Sequence, residues 1–244
     1  MRVFNLAIEV TRRCNMTCES CLRGDAENID MTKKQIDEIL DQVDEINEVT
    51  LSGGEPTLCL DIIKYFFEKA EQLGKYPDSF YLATNGMTNQ AELAHILLDA
   101  YSKCDDKEAC AVSLSLDDFH DGRQSDYIKG LAFYSPVKAR RGEDPERWAI
   151  RMGRADRNGI GTYRDVTTRF SIDTDENQND IQRIEIDMIY VSANGFVYPD
   201  CDISYNIMDM NEKVRINQIR PYFYEAAQTE NPNELEPIID ENTL

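Results

Sequence analysis

Apolar and polar positions alternate at the start of the chain. Phe4, Leu6 and Ile8 share one side and Val3 takes the other, which predicts a strand over residues 2–10. The period then changes. Ile36, Ile39, Leu40, Val43 and Ile46 recur at helical spacing behind Thr32, a residue suited to an N-cap, and predict a helix over 32–46. A short strand at 48–52 ends at Gly53-Gly54, and a second helix over 60–73 carries Ile62, Ile63, Phe66, Phe67, Ala70 and Leu73. A strand at 79–84 stopped by Asn85-Gly86, a helix over 89–102 and a strand at 110–116 complete the first half. Four strands alternating with three helices predict an α/β fold with a parallel sheet and right-handed crossovers. In such sheets ligands bind at the C-terminal ends of the strands.

The second half is less regular. A helix is expected over 121–135, then an Arg- and Gly-rich stretch over 136–165 with one strand near 148–150, then strands at 166–173 and 183–191. Asn194-Gly195 between Ile189-Tyr190-Val191 and Phe196-Val197-Tyr198 is a hairpin signal. From residue 229 the chain is acidic and aperiodic. The expected organisation is a core over 1–182, a hairpin and helix extension over 183–228 packed on it, and an acidic tail over 229–244. There is no internal repeat.

Composition narrows the function classes. With 244 residues, 41% of them hydrophobic, the chain is globular and long enough for one sizeable core. A net charge of −20 argues against direct nucleic-acid binding, which needs a basic footprint. Residues 138–169 run against this trend, with nine Lys/Arg against five Asp/Glu. They read either as a solvated arginine face or as a wall for an anionic ligand. No apolar run approaches the roughly 20 residues of a membrane span, and Met1–Leu6 has no signal-peptide layout. A cytoplasmic protein is expected, with no N-terminal leader-binding domain, because the chain opens on the first strand. Seven cysteines, an odd number without a secretory signal, point to metal or catalysis rather than disulfides.

Three of them form CxxxCxxC: Cys14, Cys18 and Cys21, directly after the first strand. Three thiolates on one loop suit three irons of a cubane cluster and leave the fourth iron open to a ligand. Half of a zinc site is the alternative, but its usual partner pair is missing, and the histidines are His95 and His120 alone. Gly53-Gly54-Glu55-Pro56 follows the second strand. It reads as a tight turn, or as a loop whose glycines approach a ligand while Glu55 offers a carboxylate to an ammonium group. Thr84 and Asn85 end the third strand, and Ser115, Asp117, Asp118 and His120 follow the fourth. All four loops fall on one face of the expected sheet.

Together these motifs resemble the radical S-adenosylmethionine (SAM) superfamily. The resemblance spans residues 3–160 and rests on CxxxCxxC, on the GGEP run Gly53–Pro56, on Thr84-Asn85-Gly86, on Ser115-Leu116-Asp117 and on the GRA run Gly153-Arg154-Ala155. It implies a partial (β/α)6 TIM-like barrel with a short C-terminal β-hairpin extension. It also implies a [4Fe-4S] cluster on Cys14, Cys18 and Cys21, with SAM lined by Gly53, Gly54, Glu55, Pro56, Thr84, Asn85, Ser115, Asp117 and Arg154. A flavodoxin- or ferredoxin-like protein would supply the electron. Ser20 departs from the family pattern, which often has an aromatic residue before the third cysteine. Gly195–Cys201 resembles the GxxxPxC start of an auxiliary-cluster region, but no further cysteine follows Cys201. Cys59, Cys104 and Cys110 read as packing or structural residues. The GRA and GxxxPxC runs favour a peptide or protein substrate. A nucleotide or sugar substrate, a glycyl-radical activating enzyme, and a non-catalytic metal-binding or redox-sensing module are the rival readings.

Overall fold

The computed structural model describes residues 1–115, 119–120, 149–163, 170–174 and 181–228. Strands β1 (Arg2–Thr11), β2 (Glu45–Gly53), β3 (Ser79–Thr84) and β4 (Ala111–Leu114) pair in parallel, each with the next. Helices α1 (Lys33–Gln42), α2 (Leu60–Leu73) and α3 (Gln90–Lys103) form the crossovers. Thr32 caps α1 in a reciprocal capping box with Gln35. Helix α1 stops at Gln42, short of the expected 46, because Asp44 starts a turn and Glu45–Asn47 already belong to β2. Helix α2 ends where its apolar period ends: Gly74 takes the left-handed conformation, at φ 67°, and caps the carbonyls of Ala70 and Glu71.

The remaining strands are β5 (Phe170–Thr174), β6 (Ile181–Val191), β7 (Phe196–Tyr198) and β8 (Val214–Arg215). Strand β6 lies beside β1 in parallel, from Arg2 opposite Glu185 to Ile8 opposite Val191. The sheet order among the described residues is therefore β4-β3-β2-β1-β6-β7-β8, with β5 antiparallel on β6. Strands β6 and β7 form the hairpin expected at Asn194-Gly195, and Gly195 supplies its positive φ of 92°. Of the strand expected near 148–150, residue 148 lies outside the described residues, and Ile150 forms a parallel bridge with Thr162. Two short helices, α4 (Gly153–Arg157) and α5 (Tyr205–Met210), precede the terminal α6 (Ile219–Ala227). The helix expected over 121–135, Asp117, Asp118 and the tail over 229–244 lie outside the described residues.

The core fills the space between the sheet and α1–α3. Ile36, Ile39 and Leu40 of α1 and Ile63, Phe66 and Ala70 of α2 are buried against Leu6, Ile8, Val49 and Leu51. Phe67 meets Phe80 edge-on, with ring centroids 6.1 Å apart. No helix among the described residues is long and apolar enough to cross a membrane.

Candidate active site

The cleft opens at the C-terminal ends of the parallel strands. It has a volume of about 540 Å³. The loop after β1 gives it Cys14, Met16, Cys18, Ser20 and Cys21; β2 and its loop give Ser52, Gly53, Gly54 and Glu55. The ends of β3 and β4 give Ala83, Thr84, Asn85 and Ser115. His120, Ala149, Ile150, Arg154 and, from the C-terminal region, Asp202 complete the wall with Arg23. Every site residue expected from sequence and described here lines this cleft except Pro56, which is buried and opens the 3-10 turn Pro56–Cys59.

The two glycines answer to backbone crowding at the root of the cysteine loop. A Cβ on Gly53 would lie 2.4 Å from the Thr11 carbonyl oxygen, and one on Gly54 only 2.3 Å from that of Arg13. This closeness lets Gly54 N–H donate to Thr11 O at 2.7 Å and Glu55 N–H to Arg13 O at 2.8 Å. The glycines thus dock the second loop onto the first. The expectation of close approach holds, but the partner is protein backbone.

Glu55 is almost fully buried, and its carboxylate gathers the second and third loops. Its Oε1 accepts from Thr57 N–H (3.1 Å), the Thr57 hydroxyl (2.7 Å) and the Thr84 hydroxyl (2.6 Å). Its Oε2 accepts from Asn85 N–H at 2.8 Å. Oε1 is thereby saturated, and Oε2 keeps a lone pair for a donor in the cleft. Asn85 Nδ2 in turn donates to Asn15 Oδ1 at 2.8 Å, inside the cysteine loop.

The cysteine loop is also held from the far side. Arg154 Nε donates to Cys18 O at 2.9 Å, Arg154 N–H to Cys21 O at 2.9 Å, and Asn158 Nδ2 to Glu19 O at 3.0 Å. Gly153 makes this possible: its φ is +58°, and a Cβ there would sit 2.4 Å from Leu22 O. Arg154 and Arg157 both pair with Asp25, so part of the basic segment is neutralised locally. Burial pushes the Cys14 thiol up to about 11, while Met16 N–H donates toward its sulfur at 3.4 Å and opposes that effect.

Sequence reasoning passed over the two arginines that flank the loop. Arg12 is fully buried and bonds Glu9 (3.2 Å), Glu27 (2.8 Å) and Asp209 (2.9 Å). Arg23 is nearly buried, donates to the Ile203 carbonyl and stacks on Tyr190, 4.6 Å from its centroid. Their signal was position, two residues outside each end of the triplet, but burial of a charge is not visible in a sequence. Cys59, Cys104 and Cys110 are buried and lie outside the cleft wall; Cys201 is half-buried between Asp200 and Asp202. Burial pushes the Cys201 thiol up to about 12.

The donor set fits an iron–sulfur group. The loop offers three sulfurs within eight residues to one cleft, the soft thiolate set that suits clustered iron.

Comparisons with known proteins agree with this geometry. A probable GTP 3′,8-cyclase of Pyrococcus horikoshii is 37% identical over 91 residues, which is 35% of this chain and 28% of the cyclase. The aligned part therefore spans little more than a quarter of that relative. The fold is similar to solved anSMEcpe with bound AdoMet (SAM), at a TM-score of 0.52, 14% identity, and coverage of 95% of this chain and 79% of that one. It is similar to anSMEcpe with bound AdoMet and a Kp18Cys peptide at 0.55, with 14% identity and coverage of 95% and 82%. These neighbours share the TIM-like barrel architecture. The radical SAM superfamily model matches residues 8–187, from within β1 into β6, which includes the cleft loops that follow β1 to β4. The chain therefore belongs to the radical SAM superfamily, whose members use a [4Fe-4S] cluster and SAM.

Proposed function

We propose that the chain uses SAM to abstract hydrogen from a peptide or protein substrate. The observation that carries the chemistry is the convergence of Cys14, Cys18, Cys21 and Glu55 on one cleft. In this reading Cys14, Cys18 and Cys21 hold three irons, and SAM lies against Gly53, Gly54, Glu55, Thr84, Asn85, Ser115 and Asp117. A cluster held there would supply the one electron needed for reductive cleavage of the SAM sulfur–C5′ bond and, through it, for hydrogen abstraction from the substrate.

The chain's own residues orient and shield. Glu55 Oε2 accepts from the SAM ammonium, held in place by Thr57, Thr84 and Asn85. Asn85 fixes the cysteine loop relative to that carboxylate through Asn15. Arg154 holds the loop by the Cys18 carbonyl and presents its positive charge to the same wall, toward the SAM carboxylate. The low polarity of Ala83, Ala149 and Ile150 keeps water from the reacting carbon. A flavodoxin- or ferredoxin-like protein in the cytoplasm would supply the electron.

The GRA and GxxxPxC resemblances support a peptide substrate. The 37% identity to the cyclase segment favours a nucleotide as the second reading. Substrate-dependent 5′-deoxyadenosine formation separates them. Peptide pools should raise it above the SAM-only rate, and nucleoside triphosphates should not. Stimulation by nucleotides alone would overturn the peptide reading.

A further inference from the structure

Arg12 lies two residues before Cys14 and Arg23 two residues after Cys21. Both are buried, but they differ in charge compensation. Arg12 meets three carboxylates, those of Glu9, Glu27 and Asp209. Arg23 is 8% exposed and makes no direct ion pair among the described residues; its contacts are the Tyr190 ring and the Ile203 carbonyl, and Glu9, already held by Arg12, acts on it from beyond contact distance. A guanidinium is permanently charged, and burying it without a counter-charge is costly. Arg23 lines the same cleft as the three cysteine thiols.

A second observation lies beside it. Tyr205 is 2% exposed, and its hydroxyl is buried with no hydrogen-bond partner among the described residues. Its backbone N–H donates to Arg23 O at 3.0 Å, and its ring carries the Arg12 guanidinium at 4.4 Å. The Cys21 thiol is among its electrostatic neighbours. A buried guanidinium without a direct ion pair among the described residues and an orphaned donor thus sit together beside the Cys21 end of the loop. Both are what a negatively charged sulfur-rich group would satisfy.

We infer that Arg23 is a positioning residue that raises the reduction potential of the cluster, with the Tyr205 hydroxyl as an accompanying hydrogen-bond donor. The inference rests on the cluster assignment made above. Three thiolates leave the site net negative, and reduction adds one more electron. A fixed positive charge in the cleft wall favours the reduced form, so removing it lowers the midpoint potential. Tyr190, Ile203 and Tyr205 all belong to the C-terminal region, so that region reaches the redox step through Arg23.

The test is a redox titration of the reconstituted protein without SAM, followed by electron paramagnetic resonance, with iron and sulfide content measured on each sample. Arg23→Met should hold wild-type amounts of cluster at a lower midpoint, and Arg23→Lys should restore the midpoint toward wild type. Tyr205→Phe keeps the ring under Arg12 and should lower the midpoint by less. An unchanged midpoint in loaded Arg23→Met overturns the inference, and weaker SAM binding in that same sample would assign the charge to the SAM carboxylate instead. Failure of both Arg23→Met and Arg23→Lys to take up the cluster also overturns it, in favour of a purely structural role. If the wild type takes up no cluster, the cluster assignment itself fails, which is a distinct result.

Discussion

Arg154 Nε donates to the carbonyl oxygen of Cys18 at 2.9 Å, joining residues 136 positions apart. The central cysteine of the triplet is thereby held by a segment outside the four-strand half of the sheet. Gly153 is the joint of this contact, because its positive φ lets α4 press onto Leu22 and Gly24.

Gly153→Ala should therefore loosen the loop. The added Cβ would meet backbone at 2.4 Å and the φ of +58° strains any side chain, so about 1–3 kcal/mol of stability should be lost. Urea denaturation of the cluster-free protein reads this directly. Iron content after reconstitution should fall in parallel.

Glu55→Gln tests the carboxylate. The amide can keep its oxygen toward Thr57 and Thr84, but its NH2 then faces Asn85 N–H, donor against donor. A cost of about 1–3 kcal/mol is expected, at roughly 2–4 °C of melting temperature per kcal/mol. SAM affinity, measured by calorimetry on the loaded protein, should fall as well. An unaltered affinity would remove Glu55 from the SAM site.

Arg12→Met should destabilise the fold more strongly, because Glu9 is fully buried and would lose its ion-pair partner. Breaking a buried pair from one side costs about 3–5 kcal/mol. Adding Glu9→Gln should recover part of that loss in a double-variant cycle, since Tyr190 and Ala193 still bond the residue at 2.8 and 2.9 Å.

Asp30 carries a pH signature. Burial alone would raise its carboxyl, but the bonds from Arg13 Nε (2.7 Å) and the Thr11 hydroxyl prevail and hold it below its ordinary 3.8. A depressed folded-state value stabilises above the ordinary value and is lost as pH falls through the folded one. Asp30→Asn should cost less than about 1 kcal/mol at pH 7, as befits a half-exposed pair. The difference from wild type should begin to shrink as pH falls toward 3.8 and vanish only once pH passes the lower folded-state value.

The alternating half of the fold was legible because local signals agreed with it. The apolar period of α2 and Gly74 beyond it mark both ends of that helix, and Thr32 with Gln35 writes the start of α1. The cleft was legible because its motifs each end a strand. What local pattern does not encode is pairing across distance. Strand β6 reads as half of a hairpin, and nothing in Ile181–Val191 names β1 as its other neighbour. Gly53 and Gly54 read as a tight turn or as an approach to a ligand, and the close backbone contact to Thr11 and Arg13 on the side a Cβ would take is not visible in the local sequence. Nothing in the local sequence marks Arg12 and Arg23 as buried; residues of β6 and α5, distant in the chain, pack against them.

The central claim is that this cleft cleaves SAM reductively. Protein purified without oxygen, loaded with iron and sulfide and given dithionite and SAM should form 5′-deoxyadenosine, and Cys18→Ala should form none. A loaded wild type that yields no 5′-deoxyadenosine with or without candidate substrates, or a Cys18→Ala variant that yields as much, would contradict it.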